Sequence, residues 1–459
     1  MANTGGSSRG SLEEKDARGL KKELVTADAN VIESQNTTLS STTECLDGGR
    51  TAWSTLAGAY IVVFCTSGYV NSFGVYEDFY VREFLASFST SQISWIGSAQ
   101  TFCLFSVGIF SGYAMDVGYF HHVMLAGSIL SAFCLFMISL SQPEHWYQLF
   151  LAQGIGLGIG IGSTYVPALG VVAHHFKRRR SLVMGVVASA SSVGGIVHPI
   201  MLNQLIHGRV GFAWGVRVSA FFNLALLAIA NMMMRTRLPP QKATSFAQRA
   251  AYWRAFFKDK TYIAACIGTF LLVAGAFFPT FYIQLEAIRR GVSTSLAFYT
   301  IAILNGASAF GRILPTLFVD RVGIFNLIVP CTAVCGILTF CLAAAVNGPA
   351  GTVIMSILCG FFSGACISLL GPMLANLSRD VSEVGARIGV CFGIGGIGSL
   401  VGPPIIGALL GPVGHEEWIK PASFCGTSMC VSAFALAIAG WLNGRERQEA
   451  KIPLTETKS

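Results

Sequence analysis

The amino-acid sequence predicts an all-α polytopic membrane protein, with twelve transmembrane helices arranged as two six-helix pseudo-repeats. Three observations carry that expectation. Apolar residues fill 53% of the 459 positions and charged residues only 12%, for a mean hydropathy of +0.60. Soluble domains carry about 25% charge, so a soluble fold of this composition would leave too much apolar surface in water. The other two observations are the succession of long apolar segments and an internal repeat.

The chain opens with a polar stretch, residues 1–46, rich in Ser, Thr, Lys and Glu and without the apolar region of a signal peptide. Its composition is that of a disordered tail. About 20 apolar residues cross a bilayer as a helix. Twelve segments qualify, near 53–73, 92–115, 122–141, 146–173, 181–205, 214–234, 261–284, 296–318, 324–346, 351–376, 384–410 and 421–442. Only the polar break "MDVGYFHH" separates the second from the third. The expected organisation is a tail (1–46), a first half (47–234), a charged linker (235–260), a second half (261–443) and a C-terminal tail (444–459).

Orientation follows from the cations. With the N-terminus inside, 24 Lys and Arg fall on the cytosolic side and five outside; Arg217 and Arg312 lie within spans. That asymmetry predicts two cytosolic termini, an unglycosylated Asn36 sequon, and a cytosolic anchor at Lys177 to Arg180. Arg217 is expected to be an interface anchor. The plasma membrane is the expected location.

The repeat appears twice at one offset. Asp116 in "SGYAMDVGYF" and Asp320 in "PTLFVDRVGIF" stand 204 positions apart. Gly185, Gly194, His198 and Pro199 of the fifth segment stand the same 204 positions before Gly389, Gly398, Gly402 and Pro403 of the eleventh. Parallel six-helix halves joined by a charged linker belong to secondary transporters. Asp116 and Asp320, where helices meet turns, are then gating candidates.

Charged side chains inside a membrane are costly and mark function. Arg312, midway along the eighth segment, is the leading substrate candidate, because a guanidinium suits a bidentate grip on a carboxylate. His198 is the one histidine deep in a span and the titratable candidate for a proton co-substrate. Asn71, Asn305, Ser308 and Gln284 add neutral polar groups to the pathway. Glu77 and Asp78 are expected to follow the first span and Glu286 the seventh, which leaves no carboxylate relay in view.

Other classes are disfavoured. The net charge of +8 is dispersed between apolar runs, which argues against nucleic acid. The thirteen Cys form no CxxC pair, so they are expected to act as small hydrophobes, with no metal site. The Gly-rich runs at 154–162 and 393–404 follow no strand and precede no Lys, which argues against a nucleotide site and against any cofactor. Without a nucleophile–base pair of known spacing, the chain is not expected to be an enzyme. A nutrient sensor is the alternative of another class; it is disfavoured by the short C-terminal tail.

The motifs "DGGRTAW" (with Asp47, Gly48, Gly49 and Trp53), "FKRRRSLVMG" and "GASAFGRILPTLFVDRVG" make residues 47–443 resemble the major facilitator superfamily, and within it the monocarboxylate-porter family, especially its fungal branch. The resemblance implies a carrier working by alternating access and places Arg312 at that family's substrate-related arginine. Asn71 stands where animal porters carry a proton-linked lysine, and Ser308 where they carry an aspartate. Two of three coupling charges are therefore missing, and proton symport is not implied. The expected cargo is a small organic solute, anionic or polar-aromatic; the fungal branch also includes exporters of secondary metabolites.

Overall fold

The computed structural model describes residues 48–176, 179–237, 253–254, 256–344, 348–378, 384–410 and 417–449. Lys177, Arg178, Asp47 and most of the expected linker lie outside them, as does the side chain of Asp116.

Twelve long apolar helices follow one another: α1 Arg50–Phe84, α2 Ser91–Ala114, α3 Val117–Ser139, α4 Trp146–Ala173, α5 Arg180–Ile206 and α6 Gly211–Met233, then α7 Lys260–Arg289, α8 Thr294–Leu317, α9 Ile324–Ala344, α10 Gly348–Leu377, α11 Val384–Leu410 and α12 Ile419–Glu449. Side chains start several of them. Ser89 and Gln92 form a reciprocal capping box before α2, Asp259 accepts from the Tyr262 N–H before α7, and Ser293 caps α8. Such caps satisfy backbone donors that have no partner in the first turn. The polar break between α2 and α3 is a wide turn, Met115–Tyr119, closed by Gly118 at φ 102°, a left-handed conformation that glycine adopts without a Cβ clash.

One expectation is corrected here. Glu77 and Asp78 do not follow the first span but lie within α1. The acidic pair reads as an end, yet Phe73, Tyr76, Tyr80 and Phe84 continue the helical apolar spacing beyond it. Those rings pack inward: Tyr76 donates or accepts with Tyr69 at 2.6 Å, the Tyr80 hydroxyl donates to Gln153 at 2.7 Å, and Phe79 stacks on Phe212 at 4.8 Å. Burial of these aromatics outweighs the local polarity. The helix is broken at Thr66 (φ −102°, ψ −86°) and again at Ser72. Glu286 does follow the seventh apolar span, Lys260–Thr280, although helix α7 itself continues to Arg289.

Hydrogen bonds identify the two ends of the bundle. At the end holding Arg50 and Glu449, here the terminal end, Ser54 donates to the Met233 carbonyl at 3.0 Å and Thr261 to Glu446 at 2.9 Å. Arg387 at the start of α11 pairs with Asp259 at 3.0 Å, and its guanidinium lies over Phe256 and Tyr262. After α4, burial beside His175 and Arg180 pushes the His174 imidazole down to about 4, which keeps it neutral near pH 7. At the far end the Glu144 N–H donates to the Phe84 carbonyl at 2.9 Å, and the Trp146 indole to the Gln92 carbonyl at 2.9 Å. Phe110, Phe221, Met232 and Phe434 are exposed on the outside of the bundle, as lipid-covered side chains are.

The 204-residue repeat is visible as packing. Helix α5 leans on α1 of its own half and on α8 of the other; α11 leans on α7 and on α2. A Cβ on Gly194 would sit 2.8 Å from the Gly68 Cα, and one on the equivalent Gly398 would sit 2.5 Å from the Phe270 carbonyl. Across the seam between halves, a Cβ on Gly185 would meet the Arg312 carbonyl at 2.7 Å, and one on Gly389 the Ile109 Cα at 3.3 Å. Both seam contacts lie toward the terminal end, where the halves are closed on each other.

Candidate functional site

Between the halves at the far end lies a cavity of about 450 Å³, walled by α1, α5, α7 and α8; its polar side chains are Asn71, Glu77, Asp78, Arg82, Asn203, Thr280 and Gln284. A second space, about 60 Å³, is lined mainly by apolar groups, among them Phe105, Tyr165, Met184, Ala188, Phe277 and Phe392. Its walls come from both halves.

Four predicted site residues converge on one stretch of α5. The Arg312 Nη1 donates across the seam to the Ala188 carbonyl at 3.1 Å, and its Nε to Ser308 at 3.4 Å. Ser192 donates to the Ser308 hydroxyl at 3.2 Å. Asn305 reaches the Gly195 carbonyl at 3.4 Å, and Asn71 the Ser191 carbonyl at 3.3 Å. Gly195 permits that approach, since a Cβ there would come within 2.7 Å of Asn305 and 2.9 Å of Asn71. Arg312 is 8% exposed, and among the described residues it forms no salt bridge. A buried guanidinium held by carbonyl and hydroxyl oxygens keeps its full charge uncompensated. Ala188, which it holds, is part of the apolar pocket's wall.

The other candidates fall elsewhere. Gln284 lines the far-end cavity with Asn71. His198 is fully buried inside the first half; its Nε2 meets the Phe64 carbonyl at 3.2 Å, and its ring packs against Tyr69 and Phe222. It reaches neither cavity. Asp320 is exposed on the short helix Val319–Val322 after α8, while Asp116 sits in the turn after α2. Trp53 of the first motif packs edge-on against Phe176 of the second at 5.6 Å, preceded by Gly49 at φ 104°. Two segments that look unrelated in the chain thus form one structural joint. Sequence reasoning missed Glu77 as a cavity residue; the apolar spacing around it was the available signal.

Two helical halves, closed at one end and parted at the other around a cavity, define a carrier that exposes its site alternately. The comparisons agree. Residues 52–356 match the family model of the Major Facilitator Superfamily. The chain is 40% identical over 368 residues to the aspyridones efflux protein apdF of Emericella nidulans, covering 80% of this chain and 74% of that one. It is 38% identical to the agnestins efflux protein AgnL12 of Paecilomyces divaricatus, covering 78% and 81%. The human organic anion transporter MFSD10 superimposes with a TM-score of 0.60 at 15% identity, over 86% of this chain and 99% of that one. The nucleoside transporter NupG gives 0.63 at 15% identity, over 85% and 99%. The chain belongs to the Major Facilitator Superfamily. It is an integral membrane transporter for a small organic solute and not an enzyme.

Proposed function

We propose that this transporter exports a small, largely apolar secondary metabolite bearing an acidic oxygen. The observation that carries this reading is Arg312, a buried cation with no carboxylate partner among the described residues, bonded to the wall of an apolar pocket between the halves. An enolate, phenolate or carboxylate oxygen would supply the missing charge, and the aromatic walls would take the rest of the molecule. The efflux proteins among the relatives support the direction and the cargo class. Within the superfamily we place the chain in the fungal branch of the monocarboxylate-porter family, on the three motifs that include Arg312. Asp116 and Asp320, at equivalent turns, act in this reading on the gate at the terminal end.

Untargeted metabolite profiling, inside and outside cells with and without the gene, tests the proposal. Loss of the gene should lower one acidic apolar compound outside and raise it inside. The reverse pattern would mean uptake. In this reading the protein works in the plasma membrane with both termini in the cytosol, an orientation supported by the excess of 24 Lys and Arg over five. Protease cleavage of the N-terminal tail from outside sealed cells would reverse that orientation.

A further inference from the structure

We infer that Glu77 carries the proton that drives this transporter: the far-end cavity closes over Glu77 only when its carboxylate is protonated, so each closure brings one proton inward. The inference rests on alternating access between the halves and not on which metabolite is carried.

Glu77 is half-buried in the cavity wall. Its Oε1 accepts from the Ser94 hydroxyl of α2 at 2.6 Å, a neutral partner. The neighbouring charges cancel without it: Asp78 accepts from Arg82 at 2.7 Å, and both are exposed. Around the cavity, α5 contributes Asn203, α7 contributes Gln284 and Ile288, and α8 contributes Phe298; none is ionisable. The charged groups at this end of α7 are engaged elsewhere, Glu286 with Arg290 and Arg289 over the Trp418 ring. No described lining residue other than Arg82 carries a positive charge, and Arg82 is committed to Asp78.

Closing the far end must bring the α7 and α8 wall toward α1. A carboxylate pressed against Gln284, Ile288 and Phe298 would lose its water and gain no cation, which is a large cost for a charge at membrane depth. A carboxylic acid in the same place is neutral. Its O–H can donate to an amide oxygen, such as that of Gln284, while Ser94 continues to donate to its other oxygen. The chemistry is one proton added to a carboxylate, with no electron transfer. The proton enters from the far side when the cavity is open and leaves once the terminal end opens. Cargo travelling outward and a proton inward then share one cycle.

The test reads the conformation, with no cargo present. The full-length chain in lipid nanodiscs is followed by hydrogen–deuterium exchange of segments 71–84 and 280–302 on either side of neutrality, with labelling times corrected for the intrinsic pH dependence of exchange. In the wild type, these segments should exchange about tenfold more slowly on the acidic side, equivalent to a bias of about 1.4 kcal/mol toward closure. Glu77→Gln should show the slow, closed pattern at both pH values. Glu77→Asp keeps a titratable carboxyl and should keep the wild-type response, which separates the effect from general damage. A wild type whose exchange does not respond to pH would overturn the inference, as would a response that survives Glu77→Gln. Because no cargo is used, a failed metabolite assignment leaves this result standing, and the reverse also holds.

Discussion

Replacing Gly360 or Gly311 with valine should strongly destabilise the folded transporter. Helices α8 and α10 cross backbone to backbone. A Cβ on Gly360 would lie 2.1 Å from the Leu304 carbonyl oxygen, and one on Gly311 only 2.0 Å from that of Phe361. No rotamer relieves a clash between Cβ and a carbonyl, so the helices must move apart. That separation would open the neighbouring contacts, including Gly364 against Ser308, where a Cβ would stand 2.4 Å from the carbonyl. Overpacking costs roughly 1–3 kcal/mol where side chains can adjust; a backbone clash should reach the top of that range. Thermal melting in mild detergent should fall by several degrees, and the monodisperse fraction should shrink. Gly306→Ala is the control on the same helix, because its Cβ would meet nothing nearer than Ile196 at 4.0 Å. Equal melting of the valine variants and this control would refute the account.

Arg312→Ala should abolish most export while the protein still reaches the membrane. The guanidinium bonds Ala188 across the seam and Ser308 beside it, which ties this buried cation to the wall of the apolar pocket. Charge-assisted hydrogen bonds contribute about 1.5–3 kcal/mol each, so the loss of one bond to cargo should slow export roughly ten- to hundredfold. Arg312→Lys keeps the charge and loses the fork; its defect should be milder but clear. The export rate of the compound found by profiling, normalised to protein in the membrane, is the measurement. Export by Arg312→Ala at the wild-type rate would remove Arg312 from the cargo site.

Much of this was legible before any coordinates, for reasons that differ by feature. Twelve spans could be counted because length and apolarity are properties of one segment at a time. The repeat could be found because Gly185 and Gly389, and Gly194 and Gly398, meet equivalent neighbours. Asn305, Ser308 and Arg312 could be grouped because their spacing puts them on one helical face. Asn71 joins them only through α5, by the Ser191 carbonyl and the room left at Gly195, a contact that no local spacing reveals. His198 and Arg312 both read as polar groups deep in spans. Which of them faces the space between halves depends on how each helix is rotated against its neighbours, and a single sequence does not encode that locally. Glu77 was misplaced for a third reason: aromatic packing carried α1 past a polar pair that resembles a helix end.

The glycine seams divide the molecule into parts with different freedom to change. Where α5 meets α1, α11 meets α7 and α8 meets α10, backbone lies against backbone, and almost any new side chain at those glycines is a lesion. The large side chains of the apolar pocket carry no such constraint: exchanging Met184, Phe277 or Phe392 for another large apolar residue reshapes the pocket while leaving those backbone contacts in place. Cargo preference can therefore drift by ordinary single substitutions while the moving frame is inherited intact.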